Sequence, residues 1–127
     1  MIAVDTSSMV AFLKGDGGSD VNAVEEGLRL KQVVIPPVVL SELLSAKNMS
    51  KILSERLQSI QMLEITEGYW VRVGSLRQHI LRNGKRARLA DSLIAQSCID
   101  HGVGLITRDK DFKTFERYGL KLAVSWH

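Results

Sequence analysis

The stretch Ile2-Ala3-Val4-Asp5-Thr6-Ser7 decides the fold. Three apolar residues make a short strand at the very start of the chain, and an aspartate closes it. Near the other end, Gly104-Leu105-Ile106-Thr107-Arg108-Asp109 repeats the plan, with apolar residues, a hydroxyl and then an acid. Between them strands and helices alternate. A helix is expected from Ser7 to Leu13, stopped by the glycines at 15, 17 and 18, and a second runs from a Ser19 cap to Leu30. Val33-Val34-Ile35 is β-branched throughout and forms the second strand. Pro36-Pro37 suits the first turn of a third helix, Val38 to Ala46.

Further on, Ser50 to Gln61 reads as a helix and Leu63-Glu64-Ile65 as a strand. Thr66 is placed to cap a long helix that ends before Gly84, and Leu89 to Ile99 forms another, ending near Gly102. A short helix, Phe112 to Tyr118, and a last strand, Leu120 to Val124, complete the chain. Alternation of this kind predicts one α/β domain over 1–127, with a central parallel sheet of about five strands and helices on both faces. In such sheets the loops past the carboxyl ends of the strands build the site.

Composition bounds the alternatives. The chain has 127 residues, 45% of them hydrophobic, which is one ordinary core. The longest apolar run, Val33 to Leu40, has eight residues and holds both prolines, whereas a membrane span needs about 20. No basic segment precedes the first apolar residues, so no signal peptide is expected. The lone Cys98 cannot form an internal disulfide and fits a reducing cytoplasm. Net charge is +3, unevenly spread: residues 1–63 carry six basic and seven acidic side chains, residues 64–127 eleven and seven. Arg77, Arg82, Lys85, Arg86 and Arg88 fall in one stretch free of acids, a solvated face unless it borders a phosphate-handling site.

The acids are the informative residues. Asp5 ends the first strand, and Asp109, with Asp111 beyond it, follows the fourth. Glu42 has Val38, Val39 and Ala46 as helical neighbours, and Asp91 has Ile94, Ala95 and Cys98, so both interrupt faces that look buried. A buried carboxylate needs a partner: an arginine, a helix N-terminus, a backbone N–H or a metal ion. Each acid has an ordinary reading. Asp91 can be a cap residue stabilised by the helix dipole, Glu42 can pair with Lys47, and Asp109 can start a turn. Convergence of Asp5, Glu42, Asp91 and Asp109 on one sheet edge favours a hard divalent cation, Mg²⁺ or Mn²⁺, over zinc. His79, His101 and His127 are scattered, and Cys98 has no pair. Tyr69 and Trp70, at the start of the long helix, are read as core rather than as an interface, the other reading open to them.

This ordered set resembles the PIN domain and, within it, the VapC-like toxins of bacterial and archaeal toxin–antitoxin pairs. The resemblance spans nearly the whole chain. It rests on Val4-Asp5-Thr6-Ser7, on Pro37 through Ser41-Glu42-Leu43, on Leu89-Ala90-Asp91-Ser92-Leu93-Ile94-Ala95, and on Gly104 through Thr107-Arg108-Asp109-Lys110-Asp111-Phe112. It implies a metal-dependent endoribonuclease holding one or two Mg²⁺ or Mn²⁺ ions on Asp5, Glu42, Asp91 and Asp109, with a lesser role for Asp111. It also implies a homodimer and a small DNA-binding antitoxin that lays a segment over the site, often presenting a basic side chain to the acids. Thr6, Ser7 and Thr107 would support the carboxylates, and Arg82, Lys85, Arg86, Arg88 and Arg108 would contact RNA phosphates. Two other classes are weighed. A receiver-type signalling domain needs an acidic pair after the first strand and an aspartate after the third, but Thr6-Ser7-Ser8 and Leu63-Glu64-Ile65-Thr66 supply neither. A catalytically silent RNA- or protein-binding module is the other, against which the full set of acids argues.

Overall fold

The computed structural model describes residues 1–123. Among these residues four strands, β1 (Ile2–Val4), β2 (Val33–Ile35), β3 (Gln61–Met62) and β4 (Gly104–Ile106), form a sheet in the order β3-β2-β1-β4. Every pairing is parallel, with Ile2 opposite Val33 and Gly104, and Val34 opposite Gln61. The strands are three residues long or shorter, and β1, β2 and β4 are almost wholly apolar and buried, as strands covered on both faces must be.

Among the described residues six α-helices flank the sheet: α1 (Thr6–Lys14), α2 (Ser19–Arg29), α3 (Pro37–Leu44), α4 (Lys51–Gln58), α5 (Tyr69–Arg82) and α6 (Leu89–His101). Pro37 opens α3, where a missing N–H is no loss. Glycines in the left-handed region end α1 at Gly15 and α6 at Gly102. A Cβ on Gly27 would stand 2.8 Å from Val33 Cγ2, so glycine lets α2 lie close against β2. Along α6, Ser92 and every residue from Ile94 to Cys98 are buried, so the middle of this helix is enclosed on all sides. Helix α5 is tied to it by Tyr69, whose hydroxyl donates to Leu93 O at 2.7 Å, and by the Arg72–Asp100 ion pair at 2.7 Å. The core centres on Met9, Ile35, Ile80, Leu105, Phe112 and Phe115.

Several boundaries differ from the sequence reading. The edge strand forms at Gln61–Met62 rather than Leu63–Ile65, and α4 stops at Gln58 to leave room for it. Leu63 still bonds to the sheet, its N–H donating to Ile35 O at 3.0 Å. Thr66 does not cap α5. Gly68 in the left-handed region starts that helix, and Thr66 Oγ1 instead accepts from Arg72 Nη2 at 2.8 Å. Trp70, expected in the core, is 65% exposed, whereas Tyr69 is buried. The helix expected at 112–118 is a 3₁₀ segment, Lys110–Tyr118. The fifth strand reduces, among the described residues, to one parallel bridge between Leu105 and Leu122, because Leu120 is still bonded back to Phe115 O. Val124, at the end of that expected strand, lies outside the described residues.

Candidate metal centre

Strand order reverses at β1: β2 and β3 lie to one side of it, β4 to the other. The crevice at the carboxyl ends of β1 and β4 is therefore the switch point where open parallel sheets hold ligands. One further backbone bond, Asp5 N–H to Ile106 O at 3.1 Å, carries the pairing past Val4. That places Asp5 beside Thr107. Helix α6 runs into β4, so its first turn, with Asp91, starts at the same edge.

Asp5 is 3% exposed and fully engaged. Ser7 Oγ donates to both its oxygens at 2.9 Å, Ser8 N to Oδ1 at 3.0 Å, and Thr107 Oγ1 to Oδ2 at 2.5 Å. Burial raises its carboxyl pKa. The hydrogen bonds pull the other way, and the charge of Asp109 adds to the rise. Burial likewise pushes Asp91 up to about 6, with repulsion from Asp109, Asp111 and Asp5 in the same direction and Arg88 opposing. Asp91 does lie in the first turn of α6, where the helix dipole favours a carboxylate, but burial and the neighbouring acids outweigh that and raise its pKa.

Asp91, Asp109 and Asp111 each bring one carboxylate oxygen within 4.8 Å of the other two. Asp111, given the lesser role from sequence, is thus a full member of the cluster. Asp5 couples electrically to Asp91 and Asp109 from just behind it. Glu42 stands outside the cluster on α3 and is exposed rather than buried, accepting from Thr6 Oγ1 at 2.7 Å. Asp109 also fills its ordinary role, accepting from Asp111 N at 2.9 Å to start the 3₁₀ segment. An all-oxygen donor set with mutual repulsion fits a hard divalent ion such as Mg²⁺ or Mn²⁺. Neither His79, which is exposed, nor His101, whose Nε2 meets Glu64 O, belongs to it, and His127 lies outside the described residues. Cys98 is buried, and burial pushes its thiol to about 12.

The basic residues separate into groups. Lys85, Arg86 and Arg88 line a cavity of about 260 Å³ together with Asp91, Asp111 and Thr114, Phe115 sitting in its wall. Arg82 and Arg77 border a different, mainly apolar groove with Trp70, Leu81 and Leu89. Arg77 Nε donates to Ala87 O at 2.7 Å, bracing the loop before α6. Arg108 turns away from the cavity toward Asp20, with Nε 2.8 Å from Oδ2 and Nη2 3.0 Å from Oδ1. Asp20 is a site neighbour that the sequence reading missed. It sits four and seven residues before Val24 and Gly27, on the stripe that α2 buries, and that spacing was the available signal.

No curated protein matches the sequence. Among solved structures, FitAcB from Neisseria gonorrhoeae is similar with a TM-score of 0.74 and 24% identity, over 100% of this chain and 99% of that one. VapBC2 from Rickettsia felis, bound to a DNA fragment from the promoter of the pair, is similar with a TM-score of 0.69 and 23% identity over 100% of both. A toxin–antitoxin complex from Klebsiella pneumoniae gives 0.64 and 22%, over 88% of this chain and 90% of that one. At such identities the likeness is one of fold. Residues 2–118 match the PIN-domain family directly, and with the parallel sheet and the acid cluster at its switch point, the chain belongs to the PIN-domain family.

Proposed function

We propose that the chain is a metal-dependent endoribonuclease, the toxin of a VapBC-type toxin–antitoxin pair. The observation that carries this reading is the meeting of Asp91, Asp109 and Asp111 within 4.8 Å, with Asp91 and Asp111 lining the same cavity as Lys85, Arg86 and Arg88. Carboxylates and cations lining one cavity suit a phosphodiester, which is an anion that needs both neutralisation and a hydrolytic centre.

Asp91, Asp109 and Asp111 would hold one or two Mg²⁺ or Mn²⁺ ions, with Asp5 and Glu42 completing the acidic surroundings. When bound, such an ion would supply activation of a water and neutralisation of phosphate charge. The chain's own groups do the rest. Ser7, Ser8 and Thr107 hold the Asp5 carboxylate in one orientation. Thr6 aims Glu42. Lys85, Arg86 and Arg88 grip phosphates flanking the cleaved bond.

The likeness to VapBC2 bound to promoter DNA and to the Klebsiella pneumoniae toxin–antitoxin complex supports a small DNA-binding antitoxin as partner, and we include a homodimer in the proposal. No helix among the described residues is long and apolar enough to cross a membrane, and the proposed place of action is the cytoplasm. The test is cleavage of total RNA by the purified chain with Mg²⁺, with Mn²⁺ and with chelator, beside an Asp5→Asn protein. Cutting that needs the metal and is abolished by the substitution supports the reading. Metal binding without cleavage of any RNA favours a silent binding module, and equal cutting by Asp5→Asn removes the proposed mechanism.

A further inference from the structure

Asp20 is the most deeply buried carboxylate outside the acid cluster, with no exposed surface. Both its oxygens are occupied. Oδ2 accepts from Ser8 Oγ at 2.8 Å and from Arg108 Nε at 2.8 Å, and Oδ1 accepts from Arg108 Nη2 at 3.0 Å. The same Nη2 donates to Gly17 O at 3.0 Å, fixing the turn before α2. A buried ion pair is weak evidence for stability alone, since apolar side chains of similar volume often do as well. Its position is the informative part. Ser8 also gives its backbone N–H to Asp5, and Arg108 is the residue before Asp109.

Sheet pairing between β1 and β4 ends at the bond from Asp5 N to Ile106 O. Beyond it the loop carrying Asp109 is held by side chains. Thr107 bonds to Asp5 and accepts from Asp109 N at 3.0 Å, while Arg108 bonds to Asp20. The contacts close a ring through Asp20, Ser8, Asp5, Thr107 and Arg108. Helix α2 contributes only Asp20 to it.

We propose that Asp20 is a positioning residue of the metal site, acting through Ser8 on Asp5 and through Arg108 on Asp109. This rests on the metal-dependent reading above. Neutralising Asp20 removes the charge that draws Arg108 inward and leaves the guanidinium without its bidentate acceptor. The 107–109 loop then loses one of its two side-chain anchors, and Asp109 loses its fixed aim at Asp91 and Asp111. Removing partners that orient metal ligands typically costs about 10–100-fold in metal affinity.

The experiment is Mn²⁺ titration without RNA, read by the electron paramagnetic resonance of unbound Mn²⁺, on wild type, Asp20→Asn, Arg108→Lys and Asp100→Asn. Each chain is held well below its own melting temperature. Asp100→Asn is the control, because it breaks the Arg72 ion pair far from the acids. The expected result is Mn²⁺ affinity lowered about 10–100-fold in Asp20→Asn, lowered less in Arg108→Lys, and unchanged in Asp100→Asn. Wild-type affinity in folded Asp20→Asn overturns the proposal, as does an equal loss in Asp100→Asn. If Asp20→Asn does not fold, Arg108→Lys decides on the same criterion. A wild-type chain that binds no Mn²⁺ overturns the metal reading itself and the proposal with it.

Discussion

Thr107 Oγ1 donates to Asp5 Oδ2 at 2.5 Å across 102 residues of sequence. The bond joins the carboxyl end of β4 to that of β1 and is buried, so its acceptor has no water to fall back on. Thr107→Val keeps the shape and removes the donor. The expected cost is about 1–3 kcal/mol of stability, because a buried carboxylate loses a partner. RNA cleavage is expected to fall by about 10–100-fold as Asp5 loses its fixed orientation. Urea denaturation and kcat/KM measure the two effects. A variant with wild-type values of both would show that the bond neither supports the fold nor orients the site.

Asp91 gives a pH prediction. Its carboxyl is held up at about 6, first by burial and then by Asp109, so the folded chain keeps a proton that the unfolded chain releases near 3.8. Its stabilising share is therefore complete below about pH 4 and is lost as pH rises through about 6. Asp5, also raised, acts in the same direction, while Asp20 and Asp100, lowered by their arginines, act in the opposite one. Comparison with Asp91→Asn isolates the Asp91 share. In chelator the variant should gain on wild type between pH 4 and 7, and Mn²⁺ should shrink the gap by restoring wild type. Urea midpoints across that range would read it. Parallel curves for the two proteins would mean that Asp91 ionises normally.

The split among basic residues predicts a split in RNA binding. Lys85→Ala, Arg86→Ala and Arg88→Ala each remove a cation from the cavity that Asp91 and Asp111 also line. Each should weaken binding and reduce the slope of log affinity against log salt by about 1. Arg82→Ala, in the neighbouring apolar groove, should leave the slope unchanged. Fluorescence anisotropy with labelled RNA over a salt series tests this. Equal slopes for all four variants would remove the cavity as the RNA path.

Much of this was legible in the sequence because it is local. Ile2-Ala3-Val4-Asp5 and Gly104 to Asp109 announce strands ending in acids, and the alternation between them implies a parallel sheet. A parallel sheet brings both ends to one edge, which predicts the meeting of Asp5 with the Thr107 loop. Less legible was what depends on register between distant segments. Membership of Asp111 in the cluster follows from the 3₁₀ turn that Asp109 starts, a two-residue spacing a regular helix would present differently. The pairing of Arg108 with Asp20 depends on how α2 lies against the β4 loop, and periodicity marked only that Asp20 shared the buried stripe. The exposure of Trp70 turns on where α5 begins, and Gly68, not Thr66, sets that start.

The central claim is that Asp91, Asp109 and Asp111 form a divalent metal centre. Anomalous diffraction from crystals grown with Mn²⁺ tests it most directly. The account predicts a manganese peak among those three carboxylates, lost in Asp109→Asn. Bound manganese located elsewhere, with no peak in the cluster, would contradict it.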